Sequence, residues 1–306
     1  MRRSIVMAPV AVGVGLTALY TLLISSADAI TKMFAASYAA PQLFALSGGV
    51  VALLSFLVNR RGTTPRGMMT TCPWAMAVRV LATLAATVAF FYAFRLLPFA
   101  EVFLFIALIP LFAALMSGPV LGEPVRPQVW AALALGAVGV MFLFPAGVSS
   151  IGAGHFVALA AVVLGTVSMV ASRYISKRDD NLLAQVFYPN LALMVVMGAA
   201  LPFVFQPMAL ADLGWGLAYA VFLFGARWVL VAALGMLPAY VVTPLMNLQF
   251  LWMVLIGIAV FGEVPGAMVF VGAAIIIAAG SWLVYDQATA KPVPVPAPKP
   301  RIIPAE

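Results

Sequence analysis

Residues 97–125, LPFAEVFLFIALIPLFAALMSGPVLGEPV, return 140 positions later as residues 237–265, LPAYVVTPLMNLQFLWMVLIGIAVFGEVP. Extended without a gap to residues 143 and 283, the two copies share twelve identities in 47 positions, where so biased a composition gives roughly four by chance. Leu97-Pro98 matches Leu237-Pro238, and Gly122-Glu123 matches Gly262-Glu263. The chain therefore reads as a duplicated unit, and the question becomes what each unit is.

Around the repeat, apolar runs bounded by Pro, Gly and charge fall near 9–32, 41–58, 73–95, 98–116 and 128–144, then 152–172, 182–203, 211–234, 238–261 and 265–285. Each is close to the twenty or so residues that cross ~30 Å of hydrocarbon at ~1.5 Å per residue. The predicted fold is an all-α integral membrane protein of ten transmembrane helices. Residues 1–150 form one five-helix repeat, residues 151–286 a second, and residues 287–306 a proline-rich tail, KPVPVPAPKPRIIPAE from Lys291 onward, expected to be disordered and cytoplasmic. Five is odd, so matched positions fall on opposite membrane faces and the halves become inverted repeats. That arrangement points to secondary transporters, whose halves rock about a midplane site.

Composition agrees with this reading. Of 306 residues, 65% are hydrophobic and 8% charged, with a mean hydropathy of +1.14, against about half and a quarter in soluble domains. A net charge of +7 would raise nucleic acid as a partner in a soluble chain; here the charges lie between spans and set topology, so no nucleic-acid partner is expected. With the N-terminus cytoplasmic, twelve Lys and Arg fall on that side (Arg2, Arg3, Arg60, Arg61, Arg66, Arg126, Arg173, Lys177, Arg178, Lys291, Lys299 and Arg301). Lys32 and Arg95 fall on the other, while Arg79 and Arg227 lie within spans. Both termini are thus predicted cytoplasmic. The opening Met1-Arg2-Arg3 and its apolar run resemble a signal peptide, but the run is longer than an h-region and other spans follow. One cysteine, Cys72, and one histidine, His155, leave no disulfide, redox pair or zinc site to build. No cofactor or metal is expected.

Two five-span halves, each with Leu-Pro opening its fourth span and Gly-Glu before its fifth, resemble the drug/metabolite transporter superfamily, in particular the EamA-type ten-helix exporters. Within it, the chain is most similar to the YddG-type aromatic amino acid exporters, although no substrate motif carries that likeness. The resemblance implies a central cavity lined by the first, third and fourth spans of each half, and it implies export.

The residues themselves suggest what such a cavity would hold. Gly13, Thr17, Tyr20, Ile24, Asp28 and Thr31 recur at helical spacing, so the small and polar groups of the first span share one face. Asp28 reads equally as a coupling carboxylate, since charge within a span is costly, and as an interfacial acid paired with Lys32 one turn away. Glu101, with Arg95 nearby, reads as an interfacial pair. Arg79, Thr83, Thr87, Phe90 and Phe94 share a face of the third span, and the offset sets Arg227 opposite Thr87, on the face of the eighth span that carries Tyr219 and Leu223. Either arginine could grip a substrate carboxylate bidentately or snorkel to the inner interface. In the ninth span Asn247, one turn after Thr243, is preferred over Gln249 as a cavity residue. Tyr20, Phe90, Tyr219 and Trp228 could stack on an aromatic substrate, though aromatics at this spacing more often pack. Pro110 and Pro244 lie inside spans, where each must free a carbonyl and bend its helix, a possible gating device. Glu123 and Glu263 tempt a coupling role, but a carboxylate just before a span is better read as a structural cap on free backbone N–H groups. His155 could report protons near neutral pH, although an interfacial hydrogen bond is the plainer reading. Gly136/Gly139 and Gly118/Gly122 read as close helix packing or turns.

The expected function is therefore a secondary transporter exporting small metabolites, amino acids including aromatic ones, by alternating access. Its partners are the small-molecule substrate and the lipid bilayer, and a monomer suffices for the fold. A passive facilitator, or an exporter of drugs or other metabolites, is the alternative. An intramembrane enzyme finds no HExxH or GxSxG, ATP-driven transport finds no GxxxxGK[ST] loop, and Asp179-Asp180 balance their basic loop.

Overall fold

The computed structural model describes residues 2–60, 68–122, 127–142, 151–179, 181–236 and 245–289. Among these the secondary structure is helical throughout, with no strand. In chain order the helices are α1 (Arg2–Ser37), α2 (Ala40–Arg60), α3 (Pro73–Leu96), α4 (Phe99–Ile106), α5 (Ile109–Leu121), α6 (Pro127–Met141), α7 (Ala153–Ser176), α8 (Leu182–Val204), α9 (Leu210–Met236), α10 (Leu248–Phe261) and α11 (Ala267–Thr289). Five of them are long and apolar enough to cross a membrane: Val12–Ser37 of α1, α2, α3, α7 and Leu183–Val204 of α8. Their outer faces carry large exposed apolar side chains, among them Leu81, Phe156 and Val195, which water would penalise and lipid would not. The chain is a membrane-embedded, multi-pass helical protein.

The predicted fourth span is two helices rather than one. After α4 the backbone turns at Ala107-Leu108, where Leu108 N donates to Phe105 O at 3.0 Å in place of the i−4 bond, and α5 starts again at Ile109. Pro110, which has no N–H to give, is therefore in the first turn of a new helix, a position that accommodates its ring. The matched stretch behaves alike: a turn at Met246-Asn247 precedes α10, and Gln249 N donates to Met246 O at 3.0 Å.

The ends of α5 and α10 are also alike. Gly122 and Gly262, 140 residues apart, are the residues with positive φ among those described, at 70° and 66°. Gly122 N donates to Gly118 O (3.0 Å) and Gly262 N to Ile258 O (3.2 Å), so each glycine closes its helix in the left-handed conformation that a side chain disfavours.

The helices pack most extensively as α3 on α7, α2 on α8, α1 on α9 and α6 on α11. Lesser contacts join α5 to α7, α1 to α10, α2 to α9, α3 to α8, α1 to α3 and α4 to α10. One apolar core gathers Phe99, Phe103, Leu104, Leu111, Val162, Met253 and Ile276; another gathers Phe34, Leu43, Phe44, Phe91 and Tyr219. The α6–α11 crossing is closest at Gly139 and Gly272, where a Cβ on Gly272 would stand 2.5 Å from Gly139 O. A stripe of small residues lets two backbones meet there.

Polar clasps hold the helix ends in two groups. In one, Tyr38 donates to Asp212, and Gln42 donates to Gln206 O (2.8 Å) while accepting from Gln206 N (3.3 Å). In the other, Asp179 accepts from Thr71 N (2.8 Å), Thr70 Oγ1 (3.0 Å) and Asn181 N (3.1 Å). Asn181 in turn donates to Met69 O (3.0 Å) and caps Ala184 N at the start of α8 (3.2 Å). The first group ties the α1–α2 turn to the α8–α9 turn, and the second ties the start of α3 to the α7–α8 turn, so α8 runs from one group to the other. The Thr71 N–H, helped by Asn181 N and Thr70, holds the Asp179 carboxyl below its usual value.

Candidate functional site

The polar face predicted on α1 is buried and partnered. Thr17, Thr21 and Ser25 are inaccessible to solvent, and Asp28 continues their stripe. Thr17 donates to Gly13 O (2.9 Å), Thr21 to Ala18 O (2.8 Å) and Thr31 to Ala27 O (3.1 Å), which satisfies these hydroxyls within the helix. The stripe then meets α10. Gln249 Nε2 donates to Asp28 Oδ2 at 3.0 Å, Trp252 Nε1 donates to Thr21 Oγ1 at 3.1 Å, and Ser25 lies 3.5 Å from Gln249 O. Gln249 and Trp252 are three apart, so one face of α10 meets one face of α1. Gln249 rather than Asn247 makes the cross-helix bond: Asn247 is half-buried at the N-cap of α10 and its side chain caps nothing.

One turn beyond Asp28, Lys32 does not pair with it. Its Nζ lies 2.7 Å from Glu263 Oε1, donates to Leu97 O at 2.9 Å and stands 5.3 Å from the centre of the Phe261 ring. The other oxygen of Glu263 accepts from Phe99 N at 2.7 Å. Phe99 opens α4, so Glu263 caps the start of a helix 164 residues away rather than the helix that follows it in sequence. A charged acceptor on a helix N-terminus and an ammonium on its second oxygen make this corner strong and directional. The left-handed turn at Gly262 aims the carboxylate there. Beside it, Glu101 lies 3.8 Å from His155 Nε2, while His155 Nδ1 accepts from Gly152 N at 3.0 Å. A cleft of about 210 Å³ opens between Pro98, Glu101, Met253, Gly257, Glu263 and Gly266.

A second polar cluster joins α3 to α7 and α8. Arg79 donates through Nη1 to Ser168 O (3.2 Å) and through Nη2 and Nε to Gln185 O (3.3 and 3.4 Å), turned inward onto helix carbonyls rather than outward to the interface. The hydroxyls of Thr83 and Ser168 are 2.6 Å apart, and Gln185 accepts from Ser172 Oγ at 2.7 Å while donating to Ser176 Oγ at 3.0 Å. Sequence reasoning found Arg79 and Thr83 but missed Ser168 and Gln185, which are ordinary polar residues until α3 is laid against α7.

The aromatic candidates are dispersed. Tyr219 is buried in a core, 6.2 Å from Phe44 between ring centres; Phe90 stacks on Phe94 at 6.3 Å; Tyr20 and Thr87 are half-buried on α1 and α3. Glu123, Thr243 and Pro244 lie outside the described residues, as do the side chains of Pro110, Arg227 and Trp228. Chemically, the α1–α10 seam offers a carboxylate, hydroxyls, an amide and an indole N–H, which suits a small polar ligand. Among the described residues no cluster of three His, Cys, Asp or Glu could hold a metal ion.

No family model and no curated protein matches the chain. Its fold is similar to that of a protein known from a crystal structure, with a TM-score of 0.62 over 90% of this chain and 99% of that one. At 18% identity the likeness concerns the fold alone.

Proposed function

We propose that the chain is a secondary transporter of the drug/metabolite type, exporting small metabolites, amino acids including aromatic ones, across a bacterial inner membrane by alternating access. The observation that carries this reading is the exchange symmetry of the packing. Swapping the halves, α1 with α7, α2 with α8, α3 with α9, α4/α5 with α10 and α6 with α11, turns α1–α9 into α7–α3, α1–α10 into α7–α5 and α2–α9 into α8–α3. The α2–α8, α4–α10 and α6–α11 contacts map onto themselves. The α1–α3, α5–α6, α4–α11 and α1–α2 contacts lack a counterpart of similar extent among the described residues. Together with the 140-residue repeat and its paired glycine turns, this supports ten spans arranged as two inverted five-helix repeats, with both termini cytoplasmic.

Two halves that meet through equivalent surfaces can exchange which end is tight at little cost, the property that alternating access needs. The substrate occupies the interior between α1, α3 and α4 of one half and α7, α9 and α10 of the other. Asp28, Gln249, Thr21 and Trp252 supply polar contacts there, and Arg227, set opposite Thr87 by the repeat, supplies carboxylate affinity. Arg79 is a positioning residue, its fork engaged with Ser168 and Gln185.

The test is uptake of labelled phenylalanine and threonine into proteoliposomes, with and without unlabelled amino acid inside and with and without a pH gradient. Saturable, trans-stimulated uptake is expected of a carrier, and Arg227→Ala should lose it at normal protein yield. Uptake that never saturates would mean a passive facilitator; none above empty vesicles, from folded protein, would refute amino acid transport.

A further inference from the structure

Lys32 stands between two carboxylates that belong to different contacts. In this structure its ammonium is on Glu263, 2.7 Å away, in a corner that also ties Leu97 O and Phe99 N and so joins α1, the start of α4 and the turn between α10 and α11. Asp28 lies four residues back on the same helix, the spacing at which an acid followed by a lysine pairs well. That carboxylate is occupied by Gln249 Nε2 at 3.0 Å, the bond that fastens the midsection of α1 to α10. The other titratable groups facing this end are Glu101 and His155, engaged with each other across α4 and α7.

We infer that Lys32 is a two-position latch: on Glu263 it closes this end of the molecule, and released from Glu263 it turns back onto Asp28, displacing Gln249 and freeing α10 from α1. Every step exchanges one named partner for another. Closing satisfies Glu263 with an ammonium and a helix N-terminus, and leaves Asp28 to the amide. Opening leaves Glu263 beside the cleft that it already lines, exposed to water, and gives Asp28 a cation in place of the amide. Each position leaves something unmet: closed, Asp28 has only the amide of Gln249, and open, Gln249 Nε2 and Leu97 O lose their partners, so neither arrangement satisfies both carboxylates with the ammonium, as a switch requires. The latch links the end of the molecule to the α1–α10 seam, where the proposed substrate contacts lie. It deepens the transporter reading and rests on it for its purpose, but not for its existence.

The two carboxylates therefore act in opposite directions, which a purely structural role would not produce. The experiment is pulsed electron-electron distance measurement between spin labels on Ala36→Cys and Val264→Cys, both exposed, in the Cys72→Ser chain reconstituted in lipid. Glu263→Gln should raise the ratio of long to short distances at least tenfold, and adding Asp28→Asn should return it toward the starting value. Should Glu263→Gln not yield folded protein, Lys32→Met replaces it; with no ammonium to displace Gln249 the α1–α10 seam should stay fastened and long distances rare, with or without Asp28→Asn, and abundant long distances in folded Lys32→Met would overturn the latch. An unchanged distance distribution in folded Glu263→Gln would overturn the latch, as would Asp28→Asn opening the molecule further. Counterflow by the unsubstituted chain is measured alongside. Distances that shift as described without counterflow refute the transporter and keep the latch; counterflow with unshifted distances does the reverse.

Discussion

Gly272→Ala is the smallest change that should damage this fold, and its effect follows from the α6–α11 crossing. The added Cβ would stand 2.5 Å from Gly139 O and 3.3 Å from Leu104 Cδ2. An ordinary contact begins near 3.4 Å, so the carbonyl must retreat by roughly 0.9 Å, and it belongs to a helix backbone that cannot move alone. A gap of 0.5–1 Å forfeits about a quarter to a half of the dispersion well of each contact along the seam, and overpacking of this kind costs about 1–3 kcal/mol. The control is the same substitution where the space is open: Gly198 on α8 and Gly214 on α9 have nothing within 4 Å of a built Cβ. There Ala should be neutral or stabilising by up to about 1 kcal/mol, because it lowers the conformational freedom of the unfolded chain. Thermal or denaturant unfolding in detergent, followed by tryptophan fluorescence, reads all three. If Gly272→Ala were as stable as Gly198→Ala, the backbone contact at this crossing would be wrong.

Three further outcomes follow. Gln42→Leu should destabilise by about 1–3 kcal/mol, because it leaves the main-chain N–H and carbonyl of Gln206 without their clamp, and the loss should show as faster proteolysis near residue 206. Asp179, its carboxyl held below the ordinary value of 3.8, contributes stability that is present above that pH and lost as pH falls through its lowered value; Asp179→Asn should therefore be less stable near neutrality and show a shallower fall in unfolding temperature below pH 4. Arg79→Lys should cost about 1 kcal/mol in unfolding assays, since a single ammonium cannot serve Ser168 O and Gln185 O as a planar fork does, and should slow transport without changing the pH profile.

Helix positions are legible because twenty apolar residues in a row have few alternatives, but neither the turn at Ala107-Leu108 in the fourth span nor that at Met246-Asn247 in the ninth is visible in such a run. The polar face of α1 was equally plain, as periodicity alone puts Thr17, Asp28 and their neighbours on one stripe. What periodicity could not supply is the helix that each stripe meets. Two residues apart on α10, Asn247 and Gln249 differ by about 200° around the axis, and choosing between them requires the rotation of α10, which packing sets. The same gap explains Lys32: sequence offered Asp28 one turn away, while Glu263, more than two hundred residues distant, is the partner that the fold brings to it. Glu263 reads in sequence as a cap on the span that follows it, yet it accepts from Phe99 N, a recipient across the molecule that no local pattern names.

That recipient bears on how such a chain could have arisen. In the two-repeat arrangement proposed above, the carboxylate belongs to one half and the helix start to the other, so a five-helix half on its own would carry a donor and an acceptor meant for someone else. Two identical halves would make the bond twice, each completing its neighbour, and would be obliged to live as a pair. Joining them end to end makes the encounter independent of concentration. It also releases the copies from having to stay the same: one motif continues as GEPVRP and the other as GEVPG, divergence that a symmetric pair encoded once could never express.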